Sequence, residues 1–263
     1  MKQLHIATLL YHEVCDDPRT SGFQRRSALP YKHSREKFRQ ELDTIALTDR
    51  KPKLVSEIDF SAVGRHVLLT FDDGGKSAVY IADQLSARNW KAHFFITTSR
   101  VDTPTFVSSA DIQYIRRCGH VIGSHSHNHP DIFRDLSPTR LHEEWRISRN
   151  YLEDILGEAC VCASVPGGDI STAVLASAAD CGIRYLFTSE PHLIPFQFNN
   201  AWVLGRASIK AAAPLDRVYR LASFEGWTRE HAQRRVRVAL SKMLSPLYRQ
   251  YVKRNTSGDS SAA

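Results

Sequence analysis

The stretch from Leu68 to Gly75 reads LLTFDDGG and joins an apolar run directly to two acids and two glycines. An apolar run without polar alternation is typical of a strand that is covered on both faces. The adjacent carboxylates of Asp72 and Asp73 repel each other, so their presence at a buried strand end needs an electrostatic explanation. The stretch therefore predicts a buried strand whose end carries chemistry.

The rest of the chain repeats one unit, a short apolar strand followed by a helix-favouring segment. Strands that alternate with helices predict parallel pairing, and nearly all-apolar strands predict helices on both faces of the sheet. We therefore predict an α/β fold, a distorted (β/α) barrel with about seven strands, with an open doubly wound sheet as the alternative. The predicted strands are Ile6–Tyr11, Val67–Phe71, Ala92–Thr97, Val121–Ser124, Val161–Val165, Tyr185–Thr188 and Val203–Ala207. The predicted helices are Arg35–Leu47, Lys76–Arg88, Ser108–Cys118, Thr139–Leu156 and Ser171–Cys181.

Length and composition fit one main domain. The chain has 263 residues, of which 42% are hydrophobic and 24% are charged, and single α/β barrels reach this size. We predict a barrel domain over residues 1–228, a basic amphipathic helix over 229–254 and a disordered tail over 255–263. The five cysteines form no CxxC pair, which favours buried thiols in a reducing compartment. The first residues lack a small-residue cleavage site, so we expect a cytoplasmic protein, peripheral to a membrane if the basic helix binds one.

Basic residues concentrate in the segment 229–254, where eight arginines and lysines accompany one acid, Glu230. Two interpretations of this segment are open: a helix packed on the barrel with a solvated basic face, or a helix lying on an anionic membrane surface. The formal net charge of +7 allows anionic partners. No known nucleic-acid-binding motif accompanies the arginines, and we expect no nucleic-acid partner.

Three predicted strands that are distant in sequence end in polar or glycine-rich segments. These segments are FDDGG (71–75), GSHSHNHP (123–130) and VPGGD (165–169). The carboxyl ends of parallel strands meet on one side of a barrel or open sheet, which is where such folds place their function. The three segments therefore predict one shared site.

The histidines of the second segment point to a metal. On a turn, His125 and His129 can face the same side, whereas in an extended segment His125, His127 and His129 would all do so. A divalent cation would turn the repulsion between Asp72 and Asp73 into attraction, and the two carboxylates could divide the work. One would bind the metal, and the other would stay free to accept a proton.

These two segments resemble the motifs of a known family. TFDDG at 70–74 and HSHNH at 125–129 resemble the TFDDG and H-S/T-x-x-H motifs of the polysaccharide deacetylases (the NodB-homology group, carbohydrate esterase family 4). HFFI at 93–96 and CGHVIG at 118–123 also fit this resemblance, which covers roughly residues 4 to 210. The resemblance implies a distorted (β/α) barrel with one divalent ion, usually zinc, with cobalt, nickel or manganese as alternatives.

Carried over by the resemblance, Asp73, His125 and His129 are the implied metal ligands and Asp72 is the implied general base. Gly167 aligns with the residue whose backbone N–H contributes to the oxyanion hole.

In the third segment Pro166 and Gly168 match the family pattern and are candidates for contact with the substrate. Ser164, however, stands where the family has an arginine that orients the base. Arg206, at the end of a later strand, is our hypothesis for its replacement.

The family's leaving-group histidine has no obvious counterpart after residue 200. His192 is the nearest candidate acid, and an exposed loop histidine is the alternative interpretation. His12, in the Tyr11-His12 pair that ends the first strand, is a candidate for substrate binding or a histidine at the edge of the core.

We therefore predict a metal-dependent hydrolase that removes N-acetyl groups from an N-acetylhexosamine-containing saccharide or a lipid- or nucleotide-linked precursor, in surface polysaccharide synthesis. Two alternatives stay open: a sugar-binding barrel that has lost turnover, and an amide or ester hydrolase of another small substrate. The absent arginine and histidine favour the former, and the retained Asp72 argues against it.

Overall fold

The computed structural model describes residues 3–168 and 170–243, with side chains described up to Val236. The strands are β1 (Leu4–Tyr11), β2 (Glu13–Val14), β3 (Lys32–His33), β4 (Gly64–Phe71), β5 (His93–Ile96), β6 (Val121–Ser124), β7 (Cys162–Ser164), β8 (Tyr185–Phe187), β9 (Phe196–Phe198), β10 (Ala201–Leu204) and β11 (Ala207–Ser208). Nine of them form one sheet in the order β11-β1-β4-β5-β6-β7-β8-β10-β9, and β2 and β3 form a separate parallel pair. All pairings in the large sheet are parallel except that of β9 with β10.

Seven helices accompany the strands in the described part of the chain. They are α1 (Arg35–Ala46), α2 (Ala78–Ser86), α3 (Ser109–Arg117), α4 (Pro138–Leu156), α5 (Thr172–Asp180), α6 (Leu215–Ala222) and α7 (Trp227–Met243). Serine side chains cap four of them by accepting a backbone N–H of the first turn. The five helices predicted from the sequence are confirmed, with ends that differ by at most two residues.

Both faces of the sheet are buried, as the apolar strands predicted. In β1, Leu9 and Tyr11 pack with the outer helices, whereas Leu4 and Ile6 belong to a cluster made almost entirely of strand residues inside the curved sheet. The barrel-like α/β fold is confirmed, and six of the seven predicted strands correspond to single strands, β1 and β4 to β8. The five cysteines are free, and all but Cys118 are buried.

The last predicted strand, Val203–Ala207, is instead two short strands interrupted at Gly205 and Arg206. β10 pairs with β8, whereas β11 pairs with β1 near the opposite edge of the sheet. Two intervening residues span only about 10 Å, so the sheet must curl until these strands are neighbours. Gly205 is required at this crossing, because a Cβ there would lie 2.5 Å from the backbone oxygens of Glu190 and His192.

The basic helix begins at Trp227, two residues earlier than predicted, and its first turns pack on the barrel. Trp227 is buried, Glu230 binds Arg217 and Arg234 binds Glu190. These contacts favour the packed interpretation, and no contact of the described part of this helix supports binding to a membrane. No helix in the described ranges combines the length and apolar character that crossing a membrane requires. The predicted remainder of the helix, 244–254, and the predicted tail, 255–263, lie outside the described residues.

Candidate metal centre and active-site cleft

Asp73, His125 and His129 meet at the carboxyl ends of β4 and β6. One ligand atom from each lies within 4.8 Å of the others. Oδ1 of Asp73 is 3.5 Å from Nε2 of His125 and 3.6 Å from Nε2 of His129. One carboxylate oxygen and two imidazole nitrogens on a common centre form a donor set that suits zinc and leaves a further position open.

The histidine segment forms a turn, which resolves the two alternatives left open by the sequence. Ser126 and His129 have φ of 63° and 54°, and the Oγ of Ser126 accepts the backbone N–H of His129 at 3.0 Å. The buried Glu144 of α4 fixes the turn by accepting the backbone N–H groups of residues 127 and 128 at 3.0 and 2.7 Å. The turn directs His127 to Thr98, whose Oγ1 lies 3.0 Å from its Nδ1, so His127 stays outside the cluster.

The protonation states of Asp73 and His129 fit a cation. Burial alone would raise the pKa of Asp73, but the nearby imidazoles of His125, His12 and His129 hold it below its ordinary value, so the carboxylate is ionised. Burial and the neighbouring His125 lower the pKa of His129 to about 3, so this imidazole is neutral. A buried carboxylate beside a neutral imidazole is what a metal site requires. Arg25 can only donate hydrogen bonds, and its Nη2 lies 3.3 Å from Nδ1 of His129, so in this contact Nδ1 is the acceptor. A metal ion can bind Nε2 of His129 only when the imidazole proton is on Nδ1, and the contact with Arg25 must then be lost.

Ser164 at the end of β7 connects the histidine to the second aspartate. Its Oγ lies 2.6 Å from Nδ1 of His125 and 3.1 Å from Oδ1 of Asp72. The Nδ1–H group can donate to Ser164, which leaves Nε2 of His125 unprotonated and turned toward Asp73. Sequence reasoning treated Ser164 only as the site of a missing arginine and missed this bridging position.

Arg206 binds the carboxylate of Asp72 with both terminal nitrogens. Its Nη1 and Nη2 donate to Oδ1 and Oδ2 at 2.7 and 2.8 Å, and its Nε donates to the carbonyl of Thr188 at 2.8 Å. Arg206 is 1% exposed and Asp72 is 4% exposed, so this is a buried bidentate pair. Burial would raise the pKa of Asp72, but Arg206 and then His125 hold it below its ordinary value. The structure thus brings Arg206 to Asp72 from the crossing between β10 and β11.

The third segment forms a tight turn after β7 with Gly167 on the wall of the cleft. Gly167 has φ of 64°, no described residue accepts its backbone N–H, and a Cβ there would have no heavy atom within 4 Å. Pro166 and Gly168 are buried in the turn and do not line the cleft. Asp169 lies outside the described residues.

A cleft of about 660 Å³ opens above the cluster and contains one of the two further candidate histidines. His12 lines the cleft, its ring lies 4.6 Å from that of Tyr31, and its buried Nδ1 has no hydrogen-bond partner among the described residues. Burial lowers the pKa of His12. His192 does not line the cleft, and its Nδ1 lies 2.9 Å from the carbonyl of Ile194. The crossing at Gly205 packs against the backbone of His192, and the structure does not bring this side chain to the site.

Glu13 is a cleft residue that the sequence did not reveal, and it explains the second glycine of FDDGG. Its Oε2 accepts hydrogen bonds from Ser21 and, at 2.6 Å, from Ser77, while its Oε1 is buried without a partner. A Cβ at Gly75 would lie 2.1 Å from that Oε1. Burial raises the pKa of Glu13 to about 7. Gly75 therefore leaves room for a buried carboxyl that ties the end of β1 to the start of α2.

Comparison with known proteins agrees with the motifs. Residues 61–186 match the family model described as polysaccharide deacetylase. An uncharacterized 30.6 kDa protein in the fumA 3′ region of Geobacillus stearothermophilus is 27% identical over 128 residues, which are 48% of this chain and 46% of that protein. The chain thus matches about half the length of this curated relative.

Several solved structures share the fold. A polysaccharide deacetylase from Bacillus cereus superposes with a TM-score of 0.70 at 17% identity, over 83% of this chain and 69% of its own. The Streptococcus pyogenes deacetylase PplD, solved in complex with acetate, also gives 0.70, at 19% identity over 84% of this chain and 99% of its own. A de-N-acetylase from Aggregatibacter actinomycetemcomitans gives 0.70 at 18% identity, over 82% and 99% of the two chains.

Proposed function

Because the chain belongs, through residues 61–186, to the polysaccharide deacetylase family, we propose that it is a metal-dependent N-deacetylase. Its substrate in this proposal is an N-acetylhexosamine unit of a saccharide or of a lipid- or nucleotide-linked precursor. The observation that carries the proposal is the division between the two aspartates. Asp73 shares a centre with two histidines, whereas Asp72 is held beside it by Arg206.

In this proposal Asp73, His125 and His129 hold one divalent ion, with zinc as the expected metal. When bound, such an ion lowers the pKa of a coordinated water and polarises the carbonyl that is attacked. The ligand residues come from two strand ends that are fixed by the sheet, and Ser164 and Glu144 orient the histidine segment. These contacts hold the three ligand side chains in place before a metal ion binds.

Asp72 is the proposed general base. Both of its oxygens face the buried guanidinium of Arg206, which keeps the carboxylate ionised and oriented. It can therefore take a proton from the water whose oxygen forms a bond to the acetamide carbonyl carbon. The C–N bond then breaks as the nitrogen gains a proton, which gives acetate and the free amine. The backbone N–H of Gly167, which has no described acceptor, is the proposed donor to the carbonyl oxygen as negative charge develops on it.

The departing amine must gain a proton, and His12 is the proposed donor because its side chain lines the same cleft as the two aspartates. Burial lowers the pKa of His12, and the nearby carboxylates of Asp73 and Asp72 oppose that shift. His192 lacks such a position. We therefore assign the acid role to His12 within this proposal.

Acetate release from N-acetylglucosamine oligomers, compared before and after chelation and metal re-addition, tests the proposal. We expect chelation and Asp72→Asn to abolish release. The control variant Asp154→Asn, at an exposed position on α4, should keep it. Full activity of the chelated protein or of Asp72→Asn would refute the mechanism.

The alternative of a sugar-binding barrel without turnover loses one of its two supports. It was motivated by the missing arginine at position 164 and the missing leaving-group histidine, and Arg206 pairs with Asp72 from another strand end. The cytoplasmic location, the surface-polysaccharide pathway and the absence of a nucleic-acid partner stay predictions from the sequence.

A further inference from the structure

We infer that the cleft contains a subsite for an acid group of the substrate, a phosphate or a carboxylate, centred on the ammonium group of Lys210. The inference rests on the proposed function, since it concerns the same cleft. It adds that the substrate is an anionic saccharide.

The charges that line the cleft carry the inference. Five cationic side chains face five acidic ones, and a divalent ion would add two positive charges. Glu13, one of the five acids, has a pKa raised by burial to about 7 and is therefore partly uncharged near neutral pH. The occupied cleft thus carries excess positive charge, which favours an anionic ligand.

Four of the five cations already have carboxylate partners. Arg206 binds Asp72, Arg25 binds Asp131, Arg217 binds Glu230 and Arg234 binds Glu190. Lys210 differs: no carboxylate of the described residues lies within 4.0 Å of its Nζ. An acid group could bind this ammonium without first breaking an ion pair.

The backbone around Lys210 is fixed on both sides. The N–H of Ile209 donates to the carbonyl of Leu10 at 2.9 Å, and the N–H of Ala211 donates to the carbonyl of Pro30 at 2.9 Å. The position therefore belongs to the rigid rim beside β1 and is not a free loop tip.

A chain of ring contacts connects Lys210 to the proposed chemistry. Its Nζ lies 5.4 Å from the centre of the Tyr31 ring, and that ring lies 4.6 Å from the ring of His12. Ala212 and Ala213 form the adjoining wall with small side chains, which leaves room for a bulky substituent. An acid group bound at Lys210 would accordingly lie next to Tyr31, the ring that contacts His12, and close to the sugar whose acetamide is cleaved.

Calorimetric titration of the full-length, zinc-loaded Asp72→Asn variant tests the subsite without turnover. The probes are N-acetylglucosamine, N-acetylglucosamine 1-phosphate and N-acetylglucosaminuronate. We expect at least one acidic sugar to bind about tenfold more tightly than the neutral one, because hydrogen bonds to charged groups are stronger than neutral ones. Preference for the phosphate alone or for the carboxylate alone would identify the acid group.

Substitutions separate the subsite from direct binding of the acid group to the metal. Lys210→Gln should reduce the affinity for the acidic sugar to that for the neutral sugar, whereas Lys210→Arg should retain the preference. Lys51→Gln, which removes one exposed charge outside the cleft, is the matched control and should change nothing. Equal affinity for all three sugars, or a preference that survives Lys210→Gln, would overturn the inference. Failure of acetate release in the separate activity assay would refute the proposed function and leave this binding result interpretable.

Discussion

Replacing Arg206 by methionine should disable the base and move its pH dependence in a defined direction. The guanidinium contacts both oxygens of a buried Asp72 at 2.7 and 2.8 Å. At a charge separation of roughly 4 Å and an effective dielectric constant of about 20, such a pair attracts by about 4 kcal/mol. Methionine keeps much of the apolar volume and removes this attraction.

Two effects follow from the lost pair. Without Arg206, burial dominates and the pKa of Asp72 rises. Because the base must be deprotonated to act, the acidic limb of the pH profile of kcat/KM should shift to higher pH. The misaligned carboxylate should lose much of the roughly 10²–10⁴-fold contribution of general-base catalysis, and we expect kcat to fall about a hundredfold. Removing one partner of a buried ion pair also costs about 3–5 kcal/mol of unfolding free energy.

Acetate release across a pH series, together with denaturant unfolding, measures these effects separately. Arg206→Lys keeps the charge but cannot donate to both oxygens, so its loss of kcat should be smaller and its acidic limb should move less. Arg184→Met, at an exposed position, controls for the loss of one positive charge. Unchanged turnover and an unchanged acidic limb in a folded Arg206→Met protein would refute the role of this pair.

Three further predictions concern the metal site and the buried carboxyl beside it. Asp73→Asn should lose the bound divalent ion, because no other described carboxylate joins the two histidines; one equivalent of metal in the purified variant would contradict the assigned ligands. Ser164→Ala should weaken metal binding about tenfold, because Nδ1 of His125 then keeps only the backbone carbonyl of residue 164, at 3.1 Å, as its partner. Competition with a chelator measures the metal affinity, and an unchanged affinity would contradict this role of Ser164. Burial raises the pKa of Glu13 from 4.5 to about 7, so the unfolded chain loses this proton at a lower pH than the folded protein does. The unfolding free energy should therefore fall by about 3 kcal/mol as the pH rises from the lower of these pKa values to the higher. Glu13→Gln mimics the protonated form and should flatten that fall in urea unfolding at about pH 5 and about pH 8; the same slope in both proteins would exclude Glu13 as its source.

The fold was predictable because the sequence marks it locally. Each core strand is a short apolar run and four of the helices begin at a capping serine, so local sequence patterns predict the alternation of strands and helices and the parallel sheet. The break at Gly205 was missed because residues 203–207 read as one continuous run. That it is instead a crossing depends on the curl of the whole sheet, which no local pattern encodes.

The site was predictable in composition and only partly in geometry. The residues at 72, 73, 125 and 129 could be named because two short segments carry them at fixed spacing. The choice between two and three histidines depended on Glu144, which holds the turn from a different element. Lys210 carries no motif, and only the structure places it in the cleft.

Arg206 shows why the spacing of the motifs alone could not identify the residue that orients Asp72. An arginine at position 164 would approach Asp72 from the end of β7, but position 164 is a serine that instead bridges Asp72 and His125. The guanidinium comes from the crossing that joins β10 to β11, and it can reach Asp72 only because the sheet curls enough to bring β11 beside β1. The same electrostatic requirement, a cation fixed on a buried base, is met from another direction in the barrel. A base-orienting residue in such a fold is therefore better sought among all the carboxyl ends of the strands than at one place in a motif.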